Sequence, residues 1–144
     1  MSRYLLDVNV LLSIAWEDLE DHEKVLGWFE SLGQQSFASC GITQSGFIRI
    51  SLNASFRPQV VPIGAAMELL ATLTSNPGHT FWPLDIGIGK ATKFCIDRLS
   101  GSRQITDAYL LGLAIANDGV LVTLDQAIPR LAGKAFASHV LLLK

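Results

Sequence analysis

Three aspartates stand where short apolar runs give way to other structure. Asp7 closes the run Tyr4-Leu5-Leu6. Asp125 closes the run Val120-Leu121-Val122-Thr123-Leu124. Asp107 lies just inside a long apolar segment, directly after Thr106. Carboxylates gathered in one place repel one another, so some must take up protons or recruit a cation. Magnesium suits such a set, because it prefers hard oxygen ligands, keeps several waters and is held by a few carboxylates plus a substrate phosphate. Bound there, it lowers the pKa of a water and neutralises charge on a phosphate in transition. These residue types therefore point to metal-assisted hydrolysis of a phosphate ester. Each acid taken singly also has a structural reading. Asp7 would serve as the N-cap of a following helix, Asp107 would favour the positive end of its helix dipole, and Asp125 would start a turn or cap the segment from Gln126 to Leu131.

The elements around them decide whether the three can meet. Tyr4-Leu5-Leu6 reads as a buried strand and Val8 to Ala15 as a helix. A second helix begins at Asp21 as N-cap, carries Val25, Trp28, Phe29 and Leu32 at i, i+3, i+4 and i+7, and ends at Gly33. Ser36 to Cys40 reads as a strand, and Thr43 caps a third helix through Phe47, Ile48 and Leu52. Pro62 opens a fourth, whose apolar face is Ile63, Ala66, Met67 and Leu70 and which stops at Asn76-Pro77-Gly78. Thr80-Phe81-Trp82 reads as a strand and Gly87 to Leu99 as a short helix. Gln104 to Asn117 is a helix apolar nearly all round, which predicts burial. Val120 to Leu124 and His139 to Leu143 are the last strands. Strands alternating with helices predict a mainly parallel sheet with helices on both faces. Ligands in such sheets bind beyond the carboxyl ends of the strands, where Asp7 and Asp125 both fall.

Composition narrows the class. A chain of 144 residues fits one domain over 1–144, and 49% hydrophobic against 17% charged residues supports a folded core rather than disorder. The net charge of -2 excludes a generally basic nucleic-acid binder, so a polyanion must be met through local cations or bound metal. Cys40 and Cys95 form no motif and read as buried thiols in a reducing compartment. His22, His79 and His139 lack zinc-ligand spacing. The first apolar run stops at Asp7, too soon for a leader, and no stretch is long enough to span a bilayer. The expectation is a cytoplasmic domain with no membrane partner.

Four segments together resemble the motifs of PIN-domain nucleases. Tyr4 to Leu12 contains Asp7-Val8-Asn9, similar to the D-x-N that ends their first strand. Gly41 to Ile50 resembles the second motif, Ile105 to Leu111 the third and Leu121 to Asp125 the fourth. The ordered set covers essentially the whole chain and is most similar to the VapC toxins of toxin–antitoxin systems. The resemblance implies a three-layer α/β/α sandwich with a central, mainly parallel sheet. It implies an Mg²⁺-dependent, or Mn²⁺-dependent, endoribonuclease acting on RNA, a homodimer, and neutralisation by a cognate VapB-like antitoxin. It makes Asp7, Asp107 and Asp125 metal-site residues, with Asn9 orienting Asp7 or a water and Thr123 hydrogen-bonding among the carboxylates.

One position departs from the pattern. The second motif usually supplies Glu, and the matching residue here is Gln44. Its carbonyl oxygen can still coordinate or accept a hydrogen bond, but it brings no charge. Gln44 is expected to face the acidic site from the first turn of the helix capped by Thr43, leaving a site that holds one Mg²⁺ well and a second weakly. Among cations, Arg49, Lys90, Lys93, Arg98 and Arg103 are candidates for phosphate contacts, and Arg103 is favoured because it shortly precedes Asp107. Trp16, Trp28 and Trp82 are candidates for base stacking, with Trp28 read as core; Asp85 and Asp97 match no motif and read as structural or solvated. Two other readings stand beside the nuclease. One is a non-catalytic PIN module that binds RNA or protein, motivated by Gln44. The other is a receiver-like or phosphatase-like α/β domain using Asp7 as nucleophile, of which the phosphatase reading would want a second Asp where this chain has Asn9.

Overall fold

The computed structural model describes residues 3–32, 36–56 and 59–144. Five strands, β1 (Tyr4–Leu6), β2 (Phe37–Ser39), β3 (His79–Phe81), β4 (Val120–Thr123) and β5 (Val140–Leu142), form one sheet in the order β3-β2-β1-β4-β5, every neighbouring pair parallel. Between them run α1 (Val8–Ala15), α2 (His22–Ser31), α3 (Gly41–Ser51), α4 (Ile63–Thr74), α5 (Ile88–Thr92), α6 (Ile105–Ala116) and α7 (Ile128–Ala132).

The period-two pleat divides the core. Leu5, Ala38 and Leu121 turn to one face, where they meet Ala91 of α5, Leu110, Leu111 and Leu113 of α6 and Ile128 of α7. Leu6, Phe37 and Val122 turn to the other, against Val10 and Leu11 of α1, Phe29 of α2, Phe47 of α3 and Leu70 of α4. Both faces are covered, which is why the strands are short continuous apolar runs rather than alternating ones. The result is a three-layer α/β/α sandwich.

Several boundaries differ from the sequence reading. The third helix starts at Gly41, and its N-cap is Cys40 rather than Thr43. Thr43 sits at the third helical position, where its hydroxyl accepts from the Cys40 N–H at 3.0 Å. This places the hydroxyl inside the first turn, bonding backwards to the cap. Asp21 occupies the N-cap position of α2 without a side-chain capping bond. Pro62 is the N-cap of α4. On α4, Ala66 and Leu70 are buried while Ile63 and Met67 remain more than half exposed, so the core takes only part of its apolar face. The segment Gly87 to Leu99 is α-helical only to Thr92 and continues as a 3₁₀ helix, Lys93–Arg98. Thr92 bonds back to the Ile88 carbonyl at 2.8 Å at this change, a bond that commonly bends helices. The expected stop of α2 at Gly33 lies outside the described residues. No helix among the described residues is long and apolar enough to cross a membrane.

Candidate metal and active site

The chain runs from β1 outward to β2 and β3, then returns past β1 to β4 and β5. The strand order therefore reverses between β1 and β4, and ligand sites in open parallel sheets lie at such a reversal. Leu6 pairs with Val122, and the Asp7 N–H continues the ladder to the Val122 carbonyl at 3.0 Å. Asp7 and Asp125 thus leave neighbouring strands at the same edge.

Asp7 is the N-cap of α1 and is buried, 7% exposed. Its Oδ1 accepts from the Val8 N–H at 2.8 Å, and its Oδ2 accepts from Thr123 Oγ1 at 2.8 Å. Thr123 is fully buried and its oxygen also accepts from the Asp125 N–H at 3.0 Å. One hydroxyl therefore ties the end of β1 to the loop carrying Asp125. The Asp125 carboxylate accepts from the Ala127 N–H at 2.9 Å, which shapes the turn into α7. Asp107 lies in the first turn of α6, half-buried. Among the described residues, its carboxylate has no hydrogen-bond or ion-pair partner.

The three carboxylates act on one another through space. Burial pushes Asp107 up to about 6, with repulsion from Asp7 and then Asp125 adding to it. Burial also raises Asp7; the bonds from Thr123 and Val8 oppose this, and Asp125 adds to the rise. Among the described residues, no three acidic, His or Cys side chains stand close enough to be a ready-made ion cage. That spacing is compatible with magnesium, which needs only one or two protein carboxylates and fills its octahedron with water and substrate oxygens. The donors present suit a hard cation: all are carboxylate oxygens, and among the described residues the half-buried Asp107 carboxylate has no partner.

A pH dependence follows for the metal-free protein. The folded state holds the Asp107 proton more tightly than the unfolded chain, whose ordinary value is 3.8. Ionised Asp107 therefore costs stability at neutral pH, and the cost is relieved as pH falls through about 6 towards 3.8. Asp107→Asn is expected to stabilise the metal-free protein by about 1 kcal/mol at pH 7.5, a figure discounted for partial exposure. That advantage should fade on acidification to pH 4. Thermal melts in a chelating buffer check this; an advantage independent of pH would contradict it.

The other expected residues are placed less centrally. Asn9 is exposed on α1 and does not orient Asp7, whose bonds come from Val8 and Thr123. It lines a cavity of ≈ 310 Å³ together with Phe56 and Leu124. The Gln44 side chain bonds to Ser39, Nε2 to Oγ at 3.0 Å, rather than to any of the three acids. Arg103 is exposed in the 3₁₀ turn Ser102–Gln104 that leads into α6. Arg98 is engaged structurally, donating to the Leu131 carbonyl at 2.6 Å and so satisfying the end of α7. The tryptophans are also engaged: Trp82 is buried, Trp28 packs edge-on against Tyr4 at 5.7 Å, and Trp16 donates to Ser51 at 2.9 Å. Three cations outside the sequence candidates gather near the site. Lys24 and Arg130 line, with Lys144 and Asp21, a cavity of ≈ 700 Å³ whose wall includes Leu124 and Gln126, the two neighbours of Asp125. Their separation in the chain left no local signal.

The PIN-domain family model matches residues 4–134. The chain belongs to the PIN-domain family. Among its PIN-domain relatives is ribonuclease VapC44 of Mycobacterium tuberculosis, 41% identical over 126 residues that make up 88% of each chain. Ribonuclease VapC39 of the same organism is 37% identical over 124 residues, 86% of this chain and 89% of that one. The solved structure of PAE2754 from Pyrobaculum aerophilum superposes with a TM-score of 0.63 at 20% identity, covering 99% of this chain and 90% of the other. That likeness is one of fold, and the PIN-domain sandwich described above accounts for it.

Proposed function

We propose that this PIN-domain protein is an Mg²⁺-dependent, or Mn²⁺-dependent, endoribonuclease of the VapC toxin type. The observation that carries the reading is the set of three mutually repelling carboxylates at the sheet's reversal point, one of them half-buried without a partner among the described residues. The ribonuclease names of relatives at 41% and 37% identity support it. Asp7, Asp107 and Asp125 would hold the ion. When bound, the ion supplies an activated water and offsets charge on the phosphate. The chain's own groups do the rest. Thr123 holds the Asp7 carboxylate in one orientation and favours its ionised form. Arg130 and Lys24 would hold the phosphates that flank the cleaved bond, although Lys24 shares its charge with Asp21 at 3.2 Å. Net hydrolysis adds water across one phosphorus–oxygen bond and needs no 2′-hydroxyl nucleophile.

The test is cleavage of a structured RNA by the purified protein with Mg²⁺, beside DNA of the same sequence. RNA cleavage that stops on chelation is expected. Binding without cleavage in any divalent metal would leave the non-catalytic module instead. Arg130→Ala is expected to raise KM for RNA about tenfold with little change in kcat, since the lost contact is made equally in ground and transition states. An unchanged KM would remove the flanking cavity from the substrate path.

The toxin role adds partners. A homodimer is proposed, and a small VapB-like antitoxin whose arginine enters the acidic edge, where a guanidinium forks well onto carboxylates. Expression alone should slow growth, and co-expression of the cognate partner should relieve it. Harmless expression of folded, active protein would count against the toxin role.

A further inference from the structure

The cavity of ≈ 310 Å³ beside Asn9 is polar on two sides and apolar on the others. Asn9 and Ser13 line it from α1, four residues apart and so on one helix face. Glu20 and Asp21 line it from the turn before α2, and Leu124 and Phe56 supply apolar wall. The chain itself ties this cavity to the acidic site. Asn9 lies two residues beyond Asp7, and Leu124 immediately precedes Asp125. Consecutive Cα atoms are about 3.8 Å apart, so the Asn9 and Leu124 backbones stand within about 8 Å and about 4 Å of those acids' backbones. Asp21 and Leu124 also line the larger cavity that holds Lys24 and Arg130, so the two hollows share a wall.

The cavity contains a buried polar group without a partner. Ser13 is 4% exposed, yet among the described residues its hydroxyl makes no hydrogen bond. Buried hydroxyls are rarely left so, and a ligand in the cavity would satisfy this one. The Ser13 carbonyl is used separately: it accepts from His22 Nδ1 at 2.7 Å, while the His22 N–H bonds to the Leu19 carbonyl at 3.1 Å. These bonds hold the turn carrying Glu20 against α1. Asp21 is paired with Lys24 at 3.2 Å, whereas Glu20 has no ion pair among the described residues. Phe56 is 39% exposed, in a turn where its N–H bonds to the Asn53 carbonyl at 3.0 Å.

We propose that this cavity is a specificity pocket for an unstacked guanine next to the cleaved phosphodiester. It rests on the nuclease reading for its place in the reaction, but binding can be read without cleavage. Bases in single-stranded RNA are recognised by stacking on aromatic rings and by hydrogen bonds to their Watson–Crick edge. Phe56 supplies the ring, and Glu20 selects the base. A carboxylate accepts and does not donate. Guanine presents two adjacent donors, N1–H and the 2-amino group, which the two carboxylate oxygens take together. Adenine and cytosine set a ring acceptor beside their amino group, and uracil flanks its one donor with carbonyls, so each turns lone pairs towards Glu20. The Asn9 amide and the Ser13 hydroxyl are donors for guanine O6 and N7. An arginine side chain would also pair with Glu20, but it has no acceptor for the Asn9 amide.

The experiment titrates nucleoside 5′-monophosphates into the ¹⁵N-labelled, metal-free full chain and follows the Asn9 side-chain amide and the Ser13 backbone amide. GMP should bind at least about fivefold more tightly than AMP, CMP or UMP, and inosine monophosphate, which lacks only the 2-amino group, should lose about fivefold against GMP. Glu20→Gln should erase the difference between GMP and inosine monophosphate. Phe56→Ala should weaken all the monophosphates about fivefold or more. Ser13→Ala should weaken GMP without lowering Tm, because it removes a buried hydroxyl that has no partner to lose; a merely structural serine would lower Tm and leave GMP binding intact.

Equal binding of the monophosphates, or GMP shifts that spare Asn9 and Ser13, would overturn the proposal. So would saturation of the same amides by N-acetylarginine amide with no binding of GMP, which would give the cavity to a partner's arginine. If a variant fails to fold, the wild-type series still decides. RNA cleavage with no base preference beside the cut would remove the pocket and keep the nuclease reading. GMP-selective binding in a protein that cleaves no RNA would keep the pocket and remove that reading.

Discussion

Replacing Asp7, Asp107 or Asp125 by Asn is expected to cut Mg²⁺-dependent RNA cleavage at least about a hundredfold in each case, the rate equivalent of losing a few kcal/mol of transition-state stabilisation. The three variants should differ in stability. Asp107 has no partner to lose among the described residues, so its variant sheds repulsion and little else. Asp7→Asn keeps an oxygen for the Val8 N–H but turns an amide towards Thr123. Thr123 must then redirect its proton while still accepting from the Asp125 N–H, and part of the gain from removing a buried charge is lost. Asp125→Asn can preserve the bond from Ala127 through its remaining oxygen. Cleavage assays on folded variants, checked by circular dichroism, read the effect. Near wild-type rates in all three would remove the site assignment.

The second large effect is on the fold. Gly112 lies in α6 where that helix meets α5, and a Cβ there would stand 1.9 Å from the Ala91 carbonyl oxygen and 2.7 Å from its carbon. Both are main-chain atoms, so no side-chain rotation relieves the clash and the helices must separate. Gly112→Ala is expected to destabilise by about 3 kcal/mol or more, lowering Tm by roughly 10 °C in a chain of this size. Gly64→Ala is the control. A Cβ on Gly64, in α4, meets nothing within 4 Å, so the better helix former should stabilise by about 0.5 kcal/mol. Equal melting temperatures for Gly112→Ala and wild type would contradict the close approach of α5 and α6. Because α6 also carries Asp107, loss of cleavage in Gly112→Ala would come with loss of folded protein, unlike the aspartate variants.

These two regions also show what was legible in the sequence. The run Tyr4 to Ala15 announces strand, cap and helix in order, because each local signal agrees with the next. Val120 to Thr123 is equally plain. That Asp7 and Asp125 leave adjacent strands is a property of the strand order, which periodicity does not encode; it had to be inferred from alternation of elements and family resemblance. The side-chain group that orients Asp7 comes from β4, across the sheet, which the local D-x-N pattern does not encode. The cavity lined by Asn9 and Phe56 and the cavity lined by Lys24 and Arg130 join residues far apart in the chain and carry no local pattern. Thr43 is a good capping residue by type, yet the same hydroxyl serves equally well from inside the first turn, bonding back to Cys40. The reach of α4 was overestimated because apolar spacing marks a face without showing how much of it the core covers, and Ile63 and Met67 lie outside it.

The most direct test of the metal site is anomalous scattering from a crystal of the wild-type protein soaked with Mn²⁺. The expected result is a peak at the carboxyl edge of β1 and β4, with carboxylate oxygens of Asp7 and at least one of Asp107 and Asp125 within about 2.2 Å, the coordination range of small hard cations. An ordered acidic edge with no peak, or a peak bound only by residues other than these three, would contradict the assignment.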